Sequence, residues 1–218
     1  MSHLKLYYHP LSSYCWKAII AFYENNTPFE PVLTHDAESW DHLAALWPIR
    51  KFPLLQDEAR DTIVAESSIV IEYLSLHYPG EFLPIPADAD AALEVRFLDR
   101  VFDHYVMDPM ASIVGDRIRP EDANKDPFGV AKWRAQLATS YDVLEKRLAG
   151  RSWAAGDAFT LADCAAFPSL YYANRAVPVG DNHPILTAYL NRLHTRPSIA
   201  RVFKEAEPYL HMFPLQGE

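Results

Sequence analysis

Between residues 79 and 86 the chain passes from one kind of sequence to another, and this passage limits its possible folds more than any other feature. Pro79, Gly80, Pro84 and Pro86 fall close together. Neither a helix interior nor a central strand tolerates that spacing, so 80–86 reads as a linker. Before it, strand and helix patterns alternate; beyond it, strand patterns largely cease. The partition predicts a compact α/β domain over 1–79 and an all-α helical bundle over 87–218, and 218 residues suffice for two small cores.

The first half gives the order strand, helix, strand, helix, strand, strand, helix. A strand pattern opens at Leu4 and breaks at Pro10, and an apolar helical run covers 14–23. The turn cluster Asn25-Asn26-Thr27-Pro28 precedes a strand over 29–33, and 34–39 is polar without a clear period. A short helix over 40–46 ends at Pro48, and 52–56 and 62–65 form a hairpin around a charged turn. The third helix takes Ser67 or Ser68 as its cap and places Ile69, Val70, Tyr73, Leu74 and His77 on one face. Beyond the linker, helical runs cover 88–116, 127–148, 161–176, 184–194 and 198–206, with Pro109 positioned to kink or divide the longest. Thr160 and Asp163 have capping-pair spacing, with Phe159 and Cys164 placed as a hydrophobic staple.

A net charge of −9 without any Lys/Arg cluster argues against non-specific nucleic-acid binding. No apolar run approaches the roughly 18 residues of a membrane span, and the N-terminus enters a strand pattern without signal-peptide features, so a cytoplasmic protein is expected. Cys15 and Cys164 show neither CxxC nor metal-ligand spacing and read as buried apolar residues. His9 and His104 are isolated, HExxH is absent, and no metal site is expected.

Three places join polar chemistry to unusual backbone positions. Ser12-Ser13 stands at a helix N-terminus, where unpaired N–H groups and partial positive charge favour an anion. Lys51-Phe52-Pro53 puts a proline without a ladder donor at a strand start, an edge or a cis turn, leaving nearby backbone groups free. Glu66-Ser67 sets a carboxylate and a hydroxyl at a strand-to-helix junction. Singly, each has an ordinary structural reading: a cap, a turn, another cap.

Together they resemble the cytosolic glutathione transferases over essentially the whole length. The segment 48–55, Pro-Ile-Arg-Lys-Phe-Pro-Leu-Leu, resembles the family's N-P-x-G-K-V-P-x-L, with Trp47 and Arg50 in place of the usual Asn and Gly. Glu66-Ser67 matches its E-S pair, and 156–163 resembles its helical-domain capping motif. The run from Ser12 to Lys17 fits the frame of the serine-type classes, closest in pattern to zeta, theta and tau. Tyr14 stands where the zeta-type cysteine would be and Ser12 where the omega-type cysteine would be.

The resemblance implies a thioredoxin-like first domain, glutathione as cosubstrate and a homodimer. Ser12, or Ser13 one register on, would donate to the glutathione thiolate. The backbone of Phe52, exposed by a cis Pro53, would pair with the cysteinyl residue, Glu66 with the γ-glutamyl amine, Ser67 with the γ-glutamyl carboxylate, and Lys51 with the glycyl carboxylate. The implied reaction is conjugation to a small electrophile, for which Tyr8, Leu11, His104, Tyr105 and Met107 are candidate contacts. A glutathione-dependent isomerase or dehalogenase would use the same thiolate, and a non-catalytic binding protein would keep only the fold.

Overall fold

The computed structural model describes residues 3–120 and 124–214. Four strands, β1 (Leu4–Tyr8), β2 (Glu30–Leu33), β3 (Leu54–Asp57) and β4 (Thr62–Ala65), form one sheet in the order β2-β1-β3-β4. β1 runs parallel to β2, and the other two pairings are antiparallel. Helices α1 (Ser13–Glu24), α2 (Ala37–Leu46) and α3 (Ser67–His77) complete the order read from the sequence.

Alternation along the strands divides the core. Tyr7 and Leu54 pack with Leu43 of α2, flanked by Trp40, Trp47 and Phe52. One residue out of phase, Leu6 pairs with Leu55, and both are fully buried on the opposite face. There α1 packs against α3 and is buried continuously over 15–22. Both free cysteines, Cys15 and Cys164, are fully buried, as their isolation in the sequence suggested.

Two helix starts differ from the sequence reading. α2 begins at Ala37, three residues early, because Asp36 and Ser39 form a reciprocal capping box: Ser39 N–H donates to Asp36 Oδ1 at 2.9 Å and Asp36 N–H to Ser39 Oγ at 3.1 Å. α3 is capped by neither serine. Glu66 holds the cap position at φ +71°, and Ser67 and Ser68 are already helical.

Over the described residues the chain divides into two compact units, one running to Ile85 and completed by Pro197–Leu210, the other comprising Pro86–Arg196 with 211–214. This corrects the placement of the last helix in the bundle. α9 (Pro197–Ala206) buries Ile199, Val202 and Ala206, and Phe203 meets the α1 residue Trp16 edge-on at 6.3 Å. Its apolar stripe is satisfied by the first unit. A 3₁₀ turn, Glu207–Met212, follows.

In the second unit, α4 (Ala89–Val101) passes through a π-helical stretch, Phe102–Met107, into α5 (Asp108–Arg117). Pro109 divides the run as expected. It has no N–H for the Tyr105 carbonyl four residues back. That carbonyl instead accepts Ser140 Oγ at 2.7 Å from α6 (Pro127–Leu148). α7 (Leu161–Ala176) carries the expected Thr160–Asp163 capping box and α8 (Pro184–His194) follows. Asp163, fully buried, also accepts from Ala154 N–H at 2.8 Å and Tyr189 Oη at 2.6 Å. Among the described residues no helix is long and apolar enough to cross a membrane.

Candidate active site

Strand register brings the sequence candidates to one edge. Tyr7 pairs with Leu54, and Leu54 with Ala65, so these residues form a row across β1, β3 and β4. One residue beyond that row stand Tyr8, the last residue of β1, and Pro53 and Glu66, which flank β3 and β4. Strands lie about 4.8 Å apart, so the β1–α1 loop, the proline turn and the start of α3 share one rim.

Ser12 is the N-cap of α1. Its backbone is extended at φ −75° and ψ 117°, and its Oγ accepts from Cys15 N–H at 3.3 Å. The loop before it closes on itself through Ser12 N–H to the His9 carbonyl, 3.0 Å, while Trp16 Nε1–H holds the Pro10 carbonyl. Capping uses the hydroxyl as an acceptor, which does not consume its one donor. Cys15 is no rival nucleophile: burial pushes its thiol up to about 12, against weaker opposing pulls from Ser12 and the His9 backbone. Ser13 is the first helical residue, half-buried, without a side-chain hydrogen bond among the described residues.

The Phe52–Pro53 peptide bond is cis. Phe52 lies between rings, stacked on His9 at 6.1 Å and tilted against Trp40 at 5.3 Å. His9 Nδ1 accepts from Leu11 N–H at 3.2 Å, and burial, with a smaller contribution from His35, lowers its pKa. A neutral His9 therefore ties the β1–α1 loop to the proline turn. Lys51 is exposed and has no ion-pair partner among the described residues.

Glu66 is exposed and its carboxylate makes no capping hydrogen bond. A non-glycine residue at φ +71° is strained, and such strain concentrates where a site requires it. Ser67 and Ser68 are buried in the first turn of α3, and Lys17 Nζ, itself 1% exposed, donates to Ser68 Oγ at 2.9 Å. Lys17 and His9 are contributions that sequence reasoning missed. The only available signal for Lys17 was its place in the apolar run 14–23, since an isolated lysine ordinarily reads as solvated.

The electrophile candidates divide between the units. Tyr8 and Leu11 are half-buried in the first. In the second, His104 and Tyr105 are exposed on the π-helical stretch, His104 Nδ1 lying 3.0 Å from Asp108, whereas Met107 is only 2% exposed. No group of metal-ligating side chains occurs among the described residues.

A four-stranded sheet of this order, with a cis-proline ahead of β3 and a helical unit following, is a thioredoxin-like fold joined to an all-α partner. Residues 6–82 match the family model "Glutathione S-transferase, N-terminal domain", and 102–197 match "Glutathione S-transferase, C-terminal domain". Glutathione S-transferase 3 of Zea mays is 31% identical over 92% of this chain and 93% of its own length. Two solved glutathione S-transferases are also similar. One from Methylobacterium radiotolerans, in complex with glutathione sulfonate, has a TM-score of 0.78 and 29% identity, covering 91% of this chain and 93% of its own. One from Methylobacillus flagellatus with glutathione bound has a TM-score of 0.82 and 25% identity, covering 91% and 98%. The chain belongs to the glutathione S-transferase family and is a glutathione transferase.

Proposed function

We propose that the rim at Ser12, Phe52-Pro53 and Glu66-Ser67 holds glutathione, and that the Ser12 hydroxyl donates to its thiolate for conjugation to a small electrophile. The observation carrying this reading is the convergence of three features on one sheet edge: a helix-capping hydroxyl, a cis peptide, and an exposed carboxylate without a capping hydrogen bond on strained backbone.

A glutathione-like thiol has a pKa near 8.5, leaving a few per cent ionised at neutral pH. Lowering it by about two units needs about 2.7 kcal/mol of preferential thiolate stabilisation. A hydroxyl donor to an anion contributes about 1.5–3 kcal/mol and a helix N-terminus about 0.3–1 more. Ser12 and α1 together reach that sum, with serine as a donor and not a nucleophile. The first turn of α3 receives the γ-glutamyl carboxylate with Ser67, Glu66 meets the γ-glutamyl amine, and Phe52 presents its backbone to the cysteinyl residue. Lys51 attracts the glycyl carboxylate. Tyr8, Leu11, His104, Tyr105 and Met107 remain the proposed electrophile contacts.

Two further parts of the reading have support of their own. Free, buried Cys15 and Cys164 suit a reducing, cytoplasmic setting. Exposed Ile69 and Leu76 on α3, with Leu93 and Phe97 on α4, supply apolar surface for a homodimer.

The test is turnover of a panel of electrophiles with glutathione by the wild type, Ser12→Ala and Ser13→Ala. The proposal expects turnover by the wild type and a large loss in Ser12→Ala alone. Full activity in Ser12→Ala removes that serine from the mechanism. Glutathione binding without any turnover favours a binding role for the rim.

A further inference from the structure

The stretch from His9 to Ser12 contains neither helix nor strand, so its shape depends on where its N–H groups go. Two of them end on one residue. Ser12 N–H donates to the His9 carbonyl at 3.0 Å, and Leu11 N–H donates to His9 Nδ1 at 3.2 Å. Pro10, between them, has no N–H to give. The backbone of His9 therefore closes the turn that delivers Ser12 to the helix, and its ring holds the residue immediately before that serine.

The same ring reaches the second part of the rim. It stacks on Phe52 with centroids 6.1 Å apart and planes 18° from parallel, and Phe52 is the residue ahead of the cis peptide. A neutral imidazole that accepts through Nδ1 carries its proton on Nε2. Burial, with a smaller contribution from His35 in the segment after β2, lowers the His9 pKa and favours that neutral form. A phenyl ring here could stack but not accept, and an aliphatic amide could accept but not stack. Histidine does both.

We propose that His9 is a positioning residue for the transferase reaction, its Nδ1 fixing the β1–α1 loop so that the Ser12 hydroxyl and the Phe52 peptide are held in one register. The inference rests on the reading of Ser12 as thiolate donor and acts through it, since His9 itself is given no contact with glutathione. A catalytic group misplaced by about 1 Å can cost about 100-fold in rate. Losing one hydrogen bond from a loop that keeps its other anchors should cost less, about tenfold in thiolate stabilisation.

The test is a pH titration of the ultraviolet thiolate absorbance of glutathione bound to the full chain, which needs no electrophile. His9→Phe, which keeps a ring for Phe52, and His9→Gln should move the thiolate limb to higher pH by about one pH unit, the same factor of ten. His9→Asn should return at least half of that shift. Its Oδ1 sits on Cγ as Nδ1 does and can accept from the N–H two residues on, whereas the oxygen of glutamine lies one carbon farther out. The comparison of Asn with Gln stands even if the Phe variant folds poorly. In a Ser12→Ala background no His9 substitution should move the limb further. A wild-type limb in His9→Gln, an Asn variant no better than Gln, or a His9 effect that persists without Ser12 overturns the proposal. Absence of bound glutathione, or an unmoved limb in Ser12→Ala alone, defeats the glutathione reading and this inference with it. A shifted Ser12→Ala beside an unmoved His9→Gln defeats only the role of His9.

Discussion

Arg50 occupies φ +57°, where the family segment it resembles usually carries glycine. A left-handed conformation costs an L-residue about 1–2 kcal/mol, while glycine loses about 0.5–1 kcal/mol in backbone entropy. The 3.6 Å contact of Arg50 with Asp41 joins two exposed side chains and contributes little. Arg50→Gly is therefore expected to stabilise the protein by about 0.5–1 kcal/mol, seen as a rise in Tm of about 1–4 °C. In the proposed mechanism Ser12 works at the same scale with two parts of one hydroxyl. Ser12→Ala loses the cap, about 1 kcal/mol of stability, and with it the proposed thiolate donor. Without the donor the bound thiol's pKa rises, so the acid limb of the pH–rate profile moves to higher pH. At pH 6.5 kcat/KM should fall about 10–100-fold, and the gap should narrow near pH 9, where the thiol ionises unaided. Ser13→Ala should leave the profile in place.

At the scale of elements, single side chains hold joints that the backbone leaves open. Ser140 Oγ reaches the Tyr105 carbonyl that Pro109 cannot serve, as well as the Gln136 carbonyl of its own helix, and Ser140→Ala should cost about 1 kcal/mol in denaturant unfolding by losing that hydrogen bond. Asp57 closes the β3–β4 hairpin. Burial pushes its carboxyl up, but hydrogen bonds from Tyr78, Tyr73 and the Arg60 and Ala59 N–H groups outweigh burial and lower its pKa. A folded-state pKa below the unfolded value of about 3.9 stabilises the fold above that pH and ceases to do so as pH falls through the folded value. Asp57→Asn should accordingly be clearly less stable than wild type at pH 6, with the difference shrinking below about pH 4.

The order of these elements was legible because strand and helix periods alternate cleanly before the linker. The rim was legible too, since proline at a strand start and Glu66-Ser67 at a junction are visible in the residues alone. The α2 box was not, because Ser39 stands where Glu or Gln usually signals one. The cap of α3 misled because two serines follow a residue whose backbone makes the turn without a side-chain cap. For α9, an amphipathic stripe shows that the helix must pack but does not name its partner.

For the whole molecule, the proposed homodimer makes a separate prediction. Leu93 is 68% exposed on α4, where Arg147 also lies over Phe97 at 4.8 Å. Light scattering should give about twice the 24.8 kDa chain mass, and Leu93→Glu should shift it toward one chain mass without loss of helical circular dichroism. A wild-type mass equal to one chain at micromolar concentration defeats the homodimer reading.

The first unit is also discontinuous, and this imposes an order on its synthesis. Its sheet and rim are complete by Ile85, but the helix covering Trp16 begins only at Pro197. At about 5–20 residues per second, a ribosome takes roughly 6–22 s to translate the intervening segment. The earliest part of the protein to be made is thus among the last to be finished, and the nascent chain must carry an uncovered apolar face of α1 while its second unit emerges.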